Sequence, residues 1–242
     1  MHLKTSDIRD EFKRLLTIKK FTSVNREGSM IDLVGNTTIE IIGASFIADE
    51  DTIFGEVNWD YVRREEEWYN SMSLNVNDFP GGAPAIWKAV ADKDGFINSN
   101  YGNLIFSPLN GFQYDQYPES TDSQYVKTFE ELKRNPESRR ACMIYTRPQI
   151  WRDYNKNGRS DFICTTDVQY LIRDGVLNAV VRMRSNDSIF GYRNDRAWQQ
   201  HILTKLADDL SVPRGNLYWQ VGSLHVYSRH YYLVDPINYS KP

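Results

Sequence analysis

Cys164 is the residue whose neighbours most favour covalent chemistry. It follows the polar segment 153–161 and precedes Thr165-Thr166-Asp167, which is unusual company for a thiol packed in an apolar core. A thiolate is a strong nucleophile, and a nearby cation or base generates it near neutral pH. Taken alone, these neighbours leave two interpretations open, a nucleophile and a packed thiol.

A second polar stretch lies farther along the chain. Arg184-Ser185-Asn186-Asp187 is followed by Gly191 and by Arg193-Asn194-Asp195. Between Cys164 and these residues, Asp174-Gly175 separates two β-branched runs, which is a strong hairpin signal. A hairpin folds the arginine and the carboxylates back toward Cys164. The sequence therefore predicts a cleft that combines a nucleophile, an anion ligand and groups that transfer protons.

Two further pairs carry polar groups suited to ligand binding. Arg139-Arg140 follows a predicted helix stop, and an arginine fork matches phosphate oxygens bidentately. His225 and Tyr227 share one face of a predicted strand, because side chains alternate along it. As an isolated pair, Arg139-Arg140 is expected to lie at the surface, and the pattern of His225 and Tyr227 also fits an ordinary strand with one polar face. The other cysteine, Cys142, lies among apolar residues and is expected to serve packing.

No metal cofactor is expected. The loop 153–161 imitates the beginning of a calcium-binding loop, with Gly158 at its sixth position. The twelfth position, which needs a bidentate glutamate, is Cys164. No spacing of histidines and cysteines indicates zinc, and neither a P-loop nor a GxGxxG sequence occurs. The loop is therefore predicted to be a solvated turn.

The composition indicates a soluble globular protein, since 40% of the 242 residues are hydrophobic and 25% are charged. We expect one domain over residues 1–242. No segment approaches the roughly 18 apolar residues of a membrane span, and the N-terminus lacks the apolar core of a signal peptide, so a cytoplasmic protein without a membrane partner is expected. A net charge of −3 without a long basic run argues against direct binding of nucleic acid.

The elements that must position these groups follow from hydrophobic periodicity. Helices are predicted over residues 5–17, 60–71, 86–91, 124–135 and 195–210, with Asp60 capping the second and Val126, Phe129 and Leu132 on the inner face of the fourth. Strands are predicted over 38–46, 168–172, 177–183 and 218–227, and the stretch 138–146 leads from the arginine pair into a further strand. Gly43 indicates a bulge or a close backbone approach. Residues 107–123 are predicted to be a long loop or insertion.

Taken together, these fragments resemble the thymidylate synthase superfamily, and most closely its bacteriophage branch, the deoxycytidylate hydroxymethylases. The resemblance covers residues 35–235 and rests on matches in order along the chain: Glu65-x-x-Trp68, Ile86-Trp87, Tyr101-Gly102, Ser138-Arg139-Arg140, Cys164 with Gln169, Arg184-Ser185-x-Asp187-x-x-x-Gly191 and His225-x-Tyr227-Ser228. It implies an α+β thymidylate synthase fold, in which a large mixed β-sheet flanked by helices packs back to back against that of a second subunit.

The resemblance also implies a reaction. Cys164 would attack carbon 6 of a pyrimidine nucleotide, with Arg184 supporting the thiolate. The adduct makes carbon 5 a nucleophile, which takes a one-carbon unit from the co-substrate 5,10-methylenetetrahydrofolate. Glu65 is implied to organise water for the proton transfers, and Asp187 and Asp195 belong to the same catalytic group.

Further roles come from the same resemblance. Arg184 and Ser185 would bind the nucleotide phosphate together with Arg139 and Arg140 of the partner subunit, which makes the protein a functional homodimer. The remaining ligand contacts are assigned by position: Gln169 to the substrate, His225 and Tyr227 to the sugar hydroxyl, and Trp87, Asp187 and Gly191 to the folate. Thr165 departs from the synthases, which carry histidine there.

Asp195 decides the base, because the thymidylate synthases carry asparagine at this position. Uracil presents a donor at ring nitrogen 3 and an acceptor at carbon 4, which an amide matches with its oxygen and its nitrogen. Cytosine reverses both groups. A carboxyl group can accept from the exocyclic amine while it shares a proton with ring nitrogen 3, so Asp195 favours dCMP. The alternative is that Asp195 caps the following helix.

The resemblance therefore favours hydroxymethylation of dCMP at carbon 5, by addition of water to an exocyclic methylene intermediate. A methyltransferase of the same fold, acting on dCMP or dUMP, is the alternative within enzymes. A catalytically silent nucleotide-binding or virion structural protein is the alternative outside them. If the chain is encoded by a phage, the expected location is the host cytoplasm.

Overall fold

The computed structural model describes residues 2–23, 37–108 and 122–241. The helices are α1 (Thr5–Thr17), α2 (Trp59–Asn70), α3 (Ala85–Val90), α4 (Tyr101–Phe106), α5 (Gln124–Arg134), α6 (Ile150–Asp153), α7 (Gly191–Leu210) and α8 (Tyr231–Val234). The strands are β1 (Leu3–Lys4), β2 (Thr22–Ser23), β3 (Thr37–Ile47), β4 (Cys142–Ile144), β5 (Thr165–Arg173), β6 (Val176–Asp187) and β7 (Arg214–Tyr227). Most of the predicted loop 107–123 lies outside the described residues, so it stays a prediction.

A mixed sheet forms the centre of the molecule. Its strands lie in the order β1-β3-β7-β6-β5-β4, with β2 paired to β3. β7 is antiparallel to β3 and parallel to β6. The predicted hairpin is confirmed: it joins β5 to β6 through Asp174 and Gly175, both with positive φ, as a tight hairpin turn requires. The hairpin places the start of β5, just after Cys164, beside the end of β6, which holds Arg184.

The predicted helices are present, although α7 begins before the predicted residue 195. The expected cap of α2 and the alternative role of Asp195 as a helix cap were both wrong. Asn58, not Asp60, caps α2, because its side chain accepts from the backbone N–H of Tyr61 at 3.0 Å. α7 begins at Gly191, so Asp195 lies in the second turn of the helix and cannot cap it. Among the described residues, no helix combines the length and the apolar character needed to cross a membrane.

Two other predictions required correction. The buried residues of α5 are Tyr125, Thr128 and Leu132, whereas Val126 is exposed, because the inner stripe of the helix begins one residue earlier. Gly43 has a φ of +68°, but a Cβ there would meet no atom within 4 Å, and the pairing of β3 with β7 continues in register past it. Gly43 therefore provides a left-handed backbone conformation rather than a bulge or a close approach.

The central strands change their buried face at neighbouring positions. Along β7 the buried apolar residues are Leu217, Trp219 and Val221, followed by Leu224 and Val226, so their two-residue alternation is broken once. β6 shows the same break between Met183 and Asn186, and β5 shows it between Thr165 and Val168. Because Met183 pairs with both Val221 and Thr165, these breaks form a line across the sheet. This line of breaks lies beside Cys164 and Arg184. At the breaks, polar side chains point toward both faces of the sheet.

Candidate active site

Cys164 lies immediately before β5, and Arg184 reaches it from β6. Arg184 Nη2 lies 3.5 Å from Cys164 Sγ. The same guanidinium donates to the carbonyl oxygens of Phe162 and Ile163, at 2.6 and 3.0 Å, and its carbon lies 4.7 Å from the centre of the Phe162 ring. A guanidinium stays charged and carries five donors. Arg184 therefore anchors the segment that ends at Cys164 and places positive charge beside the sulfur, which favours a thiolate.

Tyr101 connects Cys164 to the helical layer. Thr165, the residue after Cys164, donates its hydroxyl to Tyr101 Oη at 3.0 Å, and both side chains are buried. Burial and the nearby Asp195 carboxyl raise the pKa of Tyr101, so its hydroxyl keeps its proton and donates to Asp195. Gly102 permits this position, because a Cβ there would lie 1.8 Å from the carbonyl oxygen of Tyr69. The pair Tyr101-Gly102 thus joins a hydroxyl that donates to Asp195 to the glycine that allows α4 to approach α2 closely.

Glu65 is a buried carboxyl on α2 with two donors. Tyr61 Oη donates to Glu65 Oε1 at 2.6 Å, and Trp87 Nε1 donates to the same oxygen at 3.0 Å. Burial raises the pKa of Glu65 to about 7, and the two hydrogen bonds oppose this rise. A carboxyl with such a pKa can take up and release a proton near neutral pH.

Asp195 lies on α7 and points toward β6. Asn186 Nδ2 donates to Asp195 Oδ2 at 2.8 Å, and Asn186 Oδ1 accepts from Trp219 Nε1 at 3.2 Å. Although Asp195 as a residue is only partly buried, protein atoms surround its carboxyl, and this desolvation together with the charge of Glu65 raises the pKa of Asp195 to about 8. Gly191 keeps the region open, because a Cβ there would lie 3.1 Å from Asn186 Nδ2.

Asp187 shapes the connection from β6 to α7. Its two carboxylate oxygens accept from the backbone N–H groups of Ile189 and Phe190, at 3.1 and 3.2 Å. Negative charge at the beginning of a helix is favourable, because the first N–H groups have no partner within the helix. Asp187 therefore holds the turn that presents Gly191 and Asp195.

His225 and Tyr227 lie on one face of β7, as predicted, with their ring centres 4.9 Å apart. His225 Nδ1 lies 3.3 Å from the carbonyl oxygen and 3.4 Å from the hydroxyl of Ser223. Ser223 in turn donates its hydroxyl to Glu40 on β3. Because a carbonyl oxygen can only accept, the first contact favours a proton on Nδ1 of His225.

The predicted phosphate ligands are divided between two places. Arg184 and Ser185 lie at the Cys164 end of the hairpin, whereas Arg139 and Arg140 lie exposed between α5 and β4. The carbonyl oxygen of Arg139 accepts from Gln169, which lies five residues beyond Cys164 and therefore about 17 Å farther along the strand. Within one subunit, Arg139 and Gln169 thus lie apart from the thiol.

Arg140 is engaged within its own subunit. It donates to Glu131 of α5 at 2.9 Å, and Ser138 also donates to this carboxylate. The bonds from Ser138, Arg140 and Arg134 hold the pKa of Glu131 at about 2. Glu131 therefore orients the Arg140 guanidinium at the surface of the subunit.

Cys142 and the loop 153–161, the remaining candidates from the sequence, have structural roles. Cys142 Sγ lies 3.5 Å from Asp167 Oδ2, and burial together with this carboxylate raises the pKa of the thiol to about 12. At the end of the loop 153–161, Asp161 is buried and accepts from the backbone of Asn98 and Ser99. This carboxylate connects the loop to the segment before α4, so the prediction of a solvated turn was wrong at Asp161.

Within the described ranges, no group of three or more His, Cys, Asp or Glu side chains is arranged to hold a metal ion.

Sequence reasoning left several site residues without a role. They are Tyr61, Tyr101, Asn186, Trp219, Ser223 and Glu40. Tyr101 and Asn186 lie inside segments on which the family resemblance rests. Tyr61 precedes Glu65 by one helical turn, which is the usual spacing for contact between side chains. Glu40 and Trp219 carried no local signal, because their contacts arise from strand pairing and packing.

Comparisons with known proteins agree with this geometry. Residues 49–237 match the family model described as thymidylate synthase. The deoxycytidylate 5-hydroxymethyltransferases of enterobacteria phages T4 and T6 are each 55% identical to this chain over 213 residues, which cover 85% of this chain and 82% of the phage proteins. A thymidylate synthase of Bacillus subtilis subsp. natto is 28% identical over 180 residues, covering 72% of this chain and 60% of that protein. The solved structure of thermostable thymidylate synthase A from Bacillus subtilis, at 22% identity, has a TM-score of 0.68 and covers 92% of this chain and 80% of that one, which shows a shared fold.

Proposed function

Because the chain belongs to the thymidylate synthase family, we propose that it is a deoxycytidylate 5-hydroxymethyltransferase. The observation that carries the proposal is the carboxyl of Asp195, which Asn186 holds where the thymidylate synthases carry an amide. The phage proteins that are 55% identical bear the name of this activity, which supports the same substrate class. A shared fold alone does not, since one fold serves many functions.

In the proposed reaction, the Cys164 thiolate forms a bond to carbon 6 of dCMP. The electron pair of the carbon 5–carbon 6 double bond then makes carbon 5 a nucleophile toward the methylene carbon of 5,10-methylenetetrahydrofolate. Loss of the carbon 5 proton and departure of tetrahydrofolate give an exocyclic methylene group. Water adds to this group, and expulsion of the thiolate restores the ring. Arg184, 3.5 Å from the sulfur, stabilises the thiolate before attack and after release.

Glu65 is the proposed proton carrier. Its pKa of about 7 suits a group that removes a proton in one step and positions water in another. Tyr61 and Trp87 both engage Oε1, so we assign the proton transfers to Oε2. Trp87 thereby links the proposed folate side to the carboxyl, with Asp187 and Gly191 forming the opposite wall.

Asp195 is the proposed base-reading group. With a pKa of about 8 it is largely neutral at pH 7, so it can share its proton with ring nitrogen 3 while it accepts from the exocyclic amine. Protonation at nitrogen 3 also withdraws electrons from carbon 6, which assists attack by Cys164. Tyr101 donates to the same carboxyl and keeps it oriented.

The nucleotide's other groups are assigned to separate residues. Arg184 and Ser185 bind the phosphate from the subunit that supplies Cys164, and Gln169 belongs to the same substrate-binding set. Arg139 and Arg140 complete the phosphate site from the partner subunit, and their distance from Cys164 within one chain supports this arrangement. His225 and Tyr227 bind the sugar hydroxyl. The active species is therefore a homodimer with two shared sites.

A product assay tests the proposed function. The protein is incubated with methylenetetrahydrofolate and, in separate reactions, with dCMP, dUMP, CMP or UMP, and the product mass is measured. We expect dCMP to gain the mass of a hydroxymethyl group and to be used in preference to dUMP. A methyl product would identify a methyltransferase instead. No product with any of the four nucleotides, from folded protein, would favour a catalytically silent protein.

A further inference from the structure

The amide of Asn186 has a single orientation in the buried site. An indole N–H can only donate, so the Asn186 atom 3.2 Å from Trp219 Nε1 is the carbonyl oxygen. The amide nitrogen then faces Asp195 Oδ2 at 2.8 Å. Asn186 is 3% exposed and Trp219 is fully buried, so the two side chains hold each other in place away from solvent.

This orientation determines where Asp195 can carry a proton. An amide NH₂ group donates and does not accept, so Asp195 Oδ2 must act as the acceptor. The carbonyl oxygen of a neutral carboxyl group is a better acceptor than its hydroxyl oxygen, and the proton is therefore held on Oδ1. Tyr101 also donates to this carboxyl. Either oxygen of a neutral carboxyl group keeps a lone pair that can accept, so this contact is compatible with a proton on Oδ1.

The position of this proton distinguishes the two pyrimidines. A neutral carboxyl group matches cytosine when the oxygen opposite ring nitrogen 3 carries the proton. It matches uracil when the oxygen opposite the carbon 4 substituent carries the proton, because that substituent is then a carbonyl acceptor. An aspartate alone is therefore compatible with both bases, and a second residue must choose between them.

We propose that Asn186 is the positioning residue that makes Asp195 select cytosine over uracil. It holds Oδ2 as an acceptor for the exocyclic amine and confines the proton to Oδ1, opposite ring nitrogen 3. The inference rests on the proposed function, since it takes Asp195 as the base-reading group. Trp219 acts one step farther away, by preventing the Asn186 amide from turning over.

Gly191 is consistent with this role. A Cβ at this position would lie 3.1 Å from Asn186 Nδ2 and 3.7 Å from Asp195 Oδ2. A side chain there would push directly against the hydrogen bond that orients the carboxyl. The lack of a side chain lets the hydrogen bond keep its 2.8 Å length.

The test compares the dissociation constants of dCMP and dUMP by titration calorimetry on the same preparation of each variant. The ratio of the two constants does not depend on the fraction of folded protein. For Asn186→Ala we expect the preference for dCMP to fall about tenfold or more, chiefly because dUMP binds more tightly. For Trp219→Phe we expect a smaller fall, since the amide can then turn over.

Two further variants make the result decisive. Tyr192→Phe is the matched control: Tyr192 packs edge-on against Trp219, and its hydroxyl donates to the backbone carbonyl oxygen of Glu50 rather than to the Asp195 group. We expect its ratio to equal that of the unmodified protein. If Asp195→Asn shifts the ratio toward dUMP but neither Asn186→Ala nor Trp219→Phe moves it by more than twofold, the role of Asn186 is refuted. If Asp195→Asn also leaves the ratio unchanged, the proposed base-reading role of Asp195 fails as well.

Discussion

At the scale of single residues, the two cysteines show how surroundings decide the chemistry of a thiol. Cys142 lies beside the Asp167 carboxylate, and burial with this negative charge raises its pKa to about 12, which keeps it protonated and inert. Cys164 lies beside the Arg184 guanidinium, whose positive charge favours a thiolate. Both thiols are partly buried, so the sign of the neighbouring charge separates them.

Replacement of each cysteine tests this difference. We expect Cys164→Ala to abolish product formation and to remove any covalent nucleotide complex seen by mass spectrometry of the intact protein. We expect Cys142→Ala, the control, to retain activity within about threefold of the unmodified protein. Activity or a nucleotide adduct in the Cys164→Ala variant would refute the proposed nucleophile.

Asp195 predicts how activity depends on pH. Its pKa is raised to about 8, chiefly by burial and then by the charge of Glu65. The form that shares a proton with ring nitrogen 3 is the neutral one, so kcat/KM for dCMP should fall about tenfold per pH unit above about pH 8. We expect this alkaline decline to disappear from the residual activity of Asp195→Asn, whose amide does not titrate. An unchanged decline in that variant would assign it to another group.

At the scale of elements, the close approach of α4 to α2 positions Tyr101. The backbone of Gly102 packs against the carbonyl oxygen of Tyr69, and Asn100 caps α4 through the backbone N–H of Asn103 at 2.8 Å. Asn100 Nδ2 also donates to the carbonyl oxygen of Trp68. The first turn of α4 is therefore hydrogen-bonded to the C-terminal end of α2. Glu65 lies on the same helix α2. Glu65, the proposed proton carrier, and the Tyr101 hydroxyl are thereby held by one pair of helices.

Gly102→Ala should disturb this pair of helices. In an exposed helix the change would add up to about 1 kcal/mol of stability, because alanine has the higher helix propensity. Here the new Cβ would lie 1.8 Å from a backbone oxygen, so we expect a net loss of about 3 kcal/mol and reduced activity. The measurement is the free energy of unfolding in urea. The exposed α2 residue Glu67 supplies the control, and Glu67→Ala should change stability by less than about 0.5 kcal/mol.

At the scale of the whole molecule, the predicted α+β thymidylate synthase fold is confirmed by the mixed sheet and the structural likeness. On either side of the line of breaks, alternate residues of β5, β6 and β7 are buried and most of the residues between them are partly exposed.

Mixing two inactive variants tests whether the sites are shared. Cys164→Ala lacks the proposed nucleophile, and Arg139→Ala lacks a phosphate ligand proposed to come from the partner. In a random mixture of exchanged subunits, half of the dimers are mixed, and each mixed dimer contains one intact site. We therefore expect activity to return to about a quarter of that of the unmodified protein. No recovery, with subunit exchange verified, would place Arg139 in the site of its own subunit.

Much of this architecture was predictable because it depends on local chemistry. Hydrophobic periodicity marks α1 and α7, and Asp174-Gly175 marks the hairpin between β5 and β6. The spaced motifs around Cys164, Arg184 and Asp195 pointed to a pyrimidine nucleotide only through the family that they resemble. Neighbouring residues carry these signals, so no knowledge of distant contacts was needed.

Tertiary contacts decided the rest. Asn186 is bound by Trp219 from another strand and binds Asp195 from a helix, and Glu40 reaches Ser223 across the pairing of β3 with β7. Burial in the folded protein raises the pKa of Glu65, and burial together with the charge of Glu65 raises the pKa of Asp195. The sequence by itself determined which groups are present and which elements carry them. Their protonation and orientation depend on desolvation and on partners far apart in the chain, and these exist only in the folded molecule.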